Sequence, residues 1–249
     1  MPQTTNIAPL DLDSINHKLA DTPAADIVRW ARDQLGDRLI LTSSFGTQAA
    51  VMLHLVTRVV PDMPILFIDT GFHFQETYAF MHKLAQRLDL NMKVYQSWMS
   101  PAHMVAIHGR LWEQGKDGLD KYDRIRKVDP MQRALRELEP KAWFAGLRRT
   151  QTDHRAQLRH VELQDHIYKV HPILTWTTKN VHEYLKAHDL PYHPLHDQGY
   201  PSIGDWHSTL RVGESDDDRA GRFQGLKQEC GIHLPQTEAE DASRFSSGL

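Results

Sequence analysis

"RLILTSSFGTQAAVMLHLV", residues 38–56, reads as a strand, a polar turn around Gly46 and a buried helix. Residues 38–42 form an apolar run of strand length that breaks at Ser43, and from about Thr47 the chain is apolar on nearly every side over a helical length. A second unit of the same kind follows. "PILFIDTG", residues 64–71, is a short apolar strand ending in Asp69, and "FQETYAFMHKLAQRL", residues 74–88, places Thr77, Phe80, Met81, Leu84 and Leu88 on one helical face.

Further strands are expected in "MKVYQ" (92–96), "KAWFAG" (141–146) and "VHPIL" (170–174). Ile27, Val28, Ala31 and Leu35 mark an amphipathic helix stopped by Gly36, and Val181, Tyr184, Leu185 and His188 mark another. Strands alternating with helices predict a Rossmann-like α/β fold: a mostly parallel sheet with helices on both faces and ligands at the strands' C-terminal ends. That rule points at residues 43–48, 69–71 and 146–149.

Around this nucleotide-binding α/β domain, placed at 25–195, residues 1–24 read as an arm. Residues 196–249, where Gly, Pro, Asp and Ser become frequent, read as a poorly packed, mobile tail. No strand is evident between 97 and 141, and "EQGKDGLDKYDRIRK" (113–127) reads as a charged excursion over the sheet edge.

The chain of 249 residues contains one cysteine, Cys230, so it makes neither an internal disulfide nor a cysteine-ligated metal cluster. Lys and Arg number 29 against 32 Asp and Glu, a net charge of −3 that argues against a nucleic-acid polymer as partner. With no signal-like or membrane-length apolar segment, a cytoplasmic protein without membrane contact is expected.

Three stretches carry candidate chemistry. "SSFGTQ" offers Ser43, Ser44, Gly46, Thr47 and Gln48 at a helix start, either a cradle for an anion or an ordinary capped turn; without a P-loop lysine it is not a Walker motif. "GLRRTQTDHR" sets Arg148, Arg149 and Arg155 just past a strand end, as bidentate phosphate grips or as a solvated basic loop. "DDDRAGRFQGLKQECGIH" surrounds Cys230 with Arg219, Arg222, Lys227 and His233, cations that favour a reactive thiolate. His193, His196 and Asp197 cluster in "YHPLHD" but follow no metal-ligand pattern, so no metal is expected.

"SSFGTQAAV", "IDTGFHFQETY", "KYDRIRKVDPMQRAL", "WFAGLRRTQ", "YHPL", "GYPSIGD" and "ECGIH" together resemble the assimilatory thioredoxin-dependent 3′-phosphoadenylylsulfate (PAPS) reductases, relatives of the PP-loop pyrophosphatases. The resemblance implies that Cys230 attacks the sulfur of PAPS, assisted by His233, and that thioredoxin or glutaredoxin then releases sulfite. Ser43, Ser44, Gly46, Thr47 and Gln48 would hold the 5′-phosphate side, with Asp69, Thr70 and Gly71 near the adenosine. Lys127, Arg148, Arg149, Arg155, Arg219 and Arg222 would neutralise phosphate and sulfate oxygens. A homodimer is implied, and no bound cofactor.

Two departures narrow the reading. Gln48 stands where PP-loop pyrophosphatases carry an acid, which speaks against ATP cleavage by an adenylating enzyme. Tyr122, Asp123, Asp205 and Ser208 stand where cluster-bearing adenylylsulfate (APS) reductases carry cysteines, which favours PAPS over APS. A cluster-free APS reductase and a non-catalytic nucleotide sensor are the alternatives.

Overall fold

The computed structural model describes residues 10–212, 219–227, 229, 231 and 232. The strand expected first is β1, Leu39–Thr42, and the apolar run after the turn is α3, Ala49–Thr57. Ahead of them lie α1, Leu12–Leu19, and α2, Ala24–Leu35. The second unit is β2, Pro64–Asp69, with α4, Gln75–Leu88, followed by β3, Asn91–Gln96. After α5, Pro101–His108, and α6, Gly115–Asp123, a π-helical turn over Arg124–Val128 leads into α7, Asp129–Leu138. The chain returns to the sheet as β4, Ala142–Phe144, makes the short α8, Asp153–Ala156, and the strands β5, Val161–Gln164, and β6, Ile167–Val170, and ends the domain with α9, Thr178–Ala187.

The sheet order is β3-β2-β1-β4-β6-β5, parallel throughout except for the antiparallel edge pair β5 and β6. Alternation along the strands divides the core. Leu39 and Leu41 of β1, Ile65 and Phe67 of β2 and Phe144 of β4 pack with α2, α3, α4 and α9, whereas Ile40, Leu66 and Trp143 pack with Met131, Ala134 and Leu135 of α7. These three strands are therefore apolar on both faces, which is why they read as continuous runs.

After β1 the chain builds outward through β2 and β3, then crosses back to place β4 on the other side of β1. The crevice between the C-terminal ends of β1 and β4 is thus a topological switch point, where the two following loops diverge and leave space for a ligand.

The sheet was expected to continue through "VHPIL", but β6 ends at Val170 and Ile173 and Leu174 are buried in a turn; their apolar character reflects burial, not strand. The edge strand β5 has a mixed pattern and was not anticipated. Residues of the expected N-terminal arm cover it: the Asn16 side chain donates to the Val161 carbonyl at 2.8 Å and accepts from its N–H at 3.0 Å, satisfying an open sheet edge.

Two charged or polar regions are more buried than their composition suggests. In the excursion, Asp123, Arg126 and Lys127 lie inside the protein. In the segment expected to be poorly packed, Ile203, Asp205, His207, Ser208, Thr209, Phe223 and Glu229 are buried against the body. Short 3-10 turns at Trp206–Ser208 and Phe223–Gly225 carry these contacts, and such turns show no 3.6-residue period. Among the described residues no helix is long and apolar enough to cross a membrane.

Candidate active site

A cavity opens at the switch point. The turn after β1 forms one wall, with Ser43, Ser44, Gly46, Thr47 and Gln48 lining it, and the loop after β4 forms the other through Ala145–Arg148. The segment after α9 roofs it with Ser202, Ile203, Gly204, Asp205, Arg219, Arg222 and Glu229.

Within the turn the residues divide the labour. Ser43 Oγ accepts the Phe45 N–H at 3.2 Å, which lets Phe45 adopt a positive φ of 50° and bury its ring edge-on against Phe67. A bulky residue in the left-handed region is strained, and burial of the ring offsets the cost. Thr47 Oγ1 donates to the Pro201 carbonyl at 2.8 Å, tying the turn to the roof. Ser44 is exposed to the cavity, and no side chain caps the first turn of α3, so the positive end of that helix faces the same space.

Arg148 is buried and donates from Nη2 to Gln48 Oε1 at 2.9 Å, joining the two walls. Arg222 lies against Gly204, where a Cβ would sit 2.1 Å from Nη2, and donates to the Ile203 carbonyl at 2.9 Å. Arg155 lines the cavity with its guanidinium forked onto Glu229. Arg149 is turned away from this cavity and lines a neighbouring cationic depression shared with Arg219, Arg222 and Lys227.

The β2 end is built differently from the expectation that Asp69, Thr70 and Gly71 face a ligand together. Asp69 does not line the cavity; its carboxylate accepts from the Gly71 N–H at 2.8 Å, from Tyr78 Oη at 2.6 Å and from Gln96 Nε2 at 2.6 Å, a fully engaged brace for the turn. Gly71 has φ +72° and a Cβ there would meet Pro101 Cγ at 2.6 Å, so it too serves the backbone. Thr70 alone of the three reaches the cavity. Its hydroxyl donates to Asp205 Oδ1, and its carbonyl accepts from the buried Arg126 Nε at 2.7 Å.

Beneath the roof an ionic chain runs from the buried Asp205 out to the surface at Asp120. Lys127 Nζ lies 2.8 Å from Asp123 Oδ1 and 2.7 Å from Asp205 Oδ2, and Lys227 Nζ bridges Asp123 and Asp120. Burial alone would raise the Asp205 carboxyl, but Lys127, His73 and the Thr70 hydroxyl override it and hold the group well below the usual carboxylate range. Beside it His207 stacks on Trp112 at 4.3 Å, and burial pushes its imidazole down to about 4, so it is neutral.

The sequence profile of the phosphoadenosine phosphosulfate reductase domain matches residues 38–211, well over half of the chain. The chain belongs to the phosphoadenosine phosphosulfate reductase family. It is 54% identical over 242 residues to the phosphoadenosine 5′-phosphosulfate reductase of Synechocystis sp., covering 96% of this chain and 97% of that one. To the Synechococcus sp. protein of the same name it is 53% identical, over 90% of this chain and 97% of the relative. Among solved structures, the phosphate complex of the Candida auris PAPS reductase superposes with a TM-score of 0.72 at 32% identity, covering 82% of this chain and 99% of the other. Candida glabrata FMN adenylyltransferase shares the fold alone, at TM-score 0.59 and 15% identity.

In this PAPS reductase family member, the four positions compared with cluster-bearing relatives converge. Tyr122, Asp123, Asp205 and Ser208 are all buried around Lys127 and His207. The space is occupied by an ion-paired and aromatic knot. The sequence singles out Lys127 as a ligand group and marks Asp123 and Asp205 only as positions without cluster cysteines; Arg126 and Glu229 were missed, although "KYDRIRKVDPMQRAL", "GYPSIGD" and "ECGIH" contain all four. Cys230 and His233, and the three acids at 216–218, lie outside the described residues.

His193 is explained without a metal. Its Nδ1 accepts the Leu195 N–H at 3.1 Å, which leaves the proton on Nε2, 3.0 Å from Thr77 Oγ1. His196 is paired at the surface with Asp197.

Proposed function

We propose that the chain reduces PAPS to sulfite and adenosine 3′,5′-bisphosphate in assimilatory sulfate reduction, with thioredoxin or glutaredoxin as electron donor. The observation that carries this is the cation-walled cavity at the β1/β4 switch point in a chain 54% identical to a protein of that name. Phosphate and sulfate oxygens are matched by the N-terminus of α3, Ser44 and the guanidinium groups of Arg148 and Arg222, donors fixed before the ligand arrives.

Cys230 thiolate attacks the PAPS sulfur; the S–O bond of the anhydride breaks and the bisphosphate leaves with its electron pair, giving S-sulfocysteine. Arginines around the phosphosulfate stabilise the charge that grows on the leaving oxygen. One thiolate of the reduced donor then attacks Cys230 Sγ and expels sulfite, and the second donor thiol resolves the mixed disulfide, returning Cys230 as thiol and leaving the donor oxidised. His233 would favour the thiolate as a neighbouring cation. Because the chain has one cysteine, both reducing electrons come from the donor. Tyr122, Asp123, Asp205 and Ser208 are no ligands for an iron–sulfur cluster, and the proposed reaction uses no bound cofactor. A cytoplasmic homodimer is the proposed setting.

The test is sulfite release from PAPS, and separately from APS, with reduced thioredoxin. Release from PAPS and far less from APS supports the reading; release from APS alone would make the chain a cluster-free APS reductase, and pyrophosphate release from ATP without a thiol would make it an adenylating enzyme.

A further inference from the structure

Glu229 precedes Cys230 in sequence, and its carboxylate is buried inside the cavity wall at 8% exposure. Arg155 grips it with both prongs of the guanidinium, Nε to Oε1 at 2.6 Å and Nη2 to Oε2 at 2.8 Å. Thr152 Oγ1 donates to Oε1 at 3.3 Å, and Arg219 Nη2 lies 3.9 Å from Oε2. The remaining side of Arg155 is committed as well, Nη1 donating to Gln151 Oε1 at 2.5 Å. Its backbone N–H bonds Thr152 Oγ1 at 3.1 Å, which fixes α8 under the pair.

A forked arginine–carboxylate pair fixes angle as well as distance, which a lone hydrogen bond does not. Both partners are desolvated, so separating them would leave two uncompensated charges. Burial raises the Glu229 carboxyl, but the bonds and charge of Arg155, with Arg219, hold it below the usual range, consistent with a permanent ion pair. Residue 230 follows this anchor by a single peptide unit in the chain.

We propose that Glu229 is a positioning residue whose fork with Arg155 anchors the main chain at 229 and so aims Cys230 at the bound nucleotide, making Arg155 a holder of the tail and not a ligand of the phosphosulfate. The proposal rests on the reading of Cys230 as the nucleophile. A carboxylate among arginines could instead stand in for a nucleotide anion and leave when the ligand binds, and the two roles predict opposite effects of neutralising it.

The experiment compares wild type, Glu229→Gln, Arg155→Glu, Glu229→Arg and the reciprocal swap Arg155→Glu/Glu229→Arg. Adenosine 3′,5′-bisphosphate binding is measured by calorimetry, Cys230 alkylation by iodoacetamide across pH, and the single-turnover rate of sulfonate adduct formation from PAPS by intact mass. Glu229→Gln is expected to bind the bisphosphate as wild type does and to lose about 100-fold in adduct formation at saturating PAPS, as a misaimed nucleophile does. Its alkylation pH profile should not move to higher pH, because aim and not thiolate content is lost. The swap should recover about tenfold or more over either charge-reversed single variant. Tighter bisphosphate binding or faster adduct formation in Glu229→Gln would overturn the proposal in favour of a competing carboxylate. Loss of bisphosphate affinity in the swap would overturn it in favour of Arg155 as a nucleotide ligand. If wild type itself forms no adduct, the Cys230 reading falls first and the proposal with it.

Discussion

Lys127 Nζ lies 2.7 Å from Asp205 Oδ2, and neither residue is more than slightly exposed although 78 positions separate them in the chain. The pair locks the roof of the cavity to the helical excursion beneath it. Because Thr70 donates to the same carboxylate, the end of β2 is held in the same knot.

Asp205→Ala takes one of its buried carboxylate partners from Lys127, and removing one partner of a buried ion pair costs about 3–5 kcal/mol. Urea unfolding should show a lower midpoint by that measure, with Asp205→Asn in between. The acid limb follows in sign. A carboxyl whose folded pKa is depressed contributes stability above its unfolded value of about 3.9, and that contribution is lost as pH falls from there toward the lower folded value. Wild type should therefore lose stability over that acid range more steeply than Asp205→Asn.

Gly71→Ala combines a φ of +72° with a Cβ 2.6 Å from Pro101 Cγ. The backbone term alone is about 1–2 kcal/mol and the overpacking adds about 1–3 kcal/mol. A thermal melt should show the loss, and Pro101→Ala in the same background should return the packing part and leave the backbone part.

The His193 imidazole, pushed down to about 4 by burial, must stay neutral to accept from the Leu195 N–H. The unfolded chain takes up this proton first, so stability falls as pH drops from about 6.5 to about 4. Melting temperatures at pH 7.5 and 5 should differ less in His193→Gln than in wild type. His54, also near 4, and His171, near 3, push the same way, so the slope is reduced and not abolished.

Gly204→Ala displaces the Arg222 guanidinium, the far end of a flexible side chain, from the cavity wall. The expected result is a raised KM for PAPS with a melting temperature close to wild type. A large loss of stability with KM unchanged would show that Arg222 serves the fold and not the ligand.

The doubly apolar strands β1 and β2 and the polar turn between β1 and α3 were legible because a buried parallel strand writes itself as an unbroken run. Strand β5 was not, since Glu162 and Gln164 alternate with Val161 and Leu163 at the sheet's edge. The turn and Arg148 were found by the rule that ligands gather at strand ends. Asp205 and Glu229 escaped as ion-pair partners because a buried acid and a solvated one are the same letter, and Lys127 and Arg155 lie far away in sequence; Asp123, only four residues from Lys127, read as part of a charged excursion. The same ambiguity made the packed segment around Asp205 read as a tail; Asp69, placed near the adenosine by resemblance and by its position at a strand end, braces its own turn.

The most direct test of the account is intact-protein mass spectrometry after mixing reduced protein with PAPS in the absence of thioredoxin. One sulfonate adduct is expected, absent in Cys230→Ser and discharged as sulfite on adding reduced thioredoxin. Nucleotide binding with no adduct, or an adduct that persists in Cys230→Ser, would contradict it.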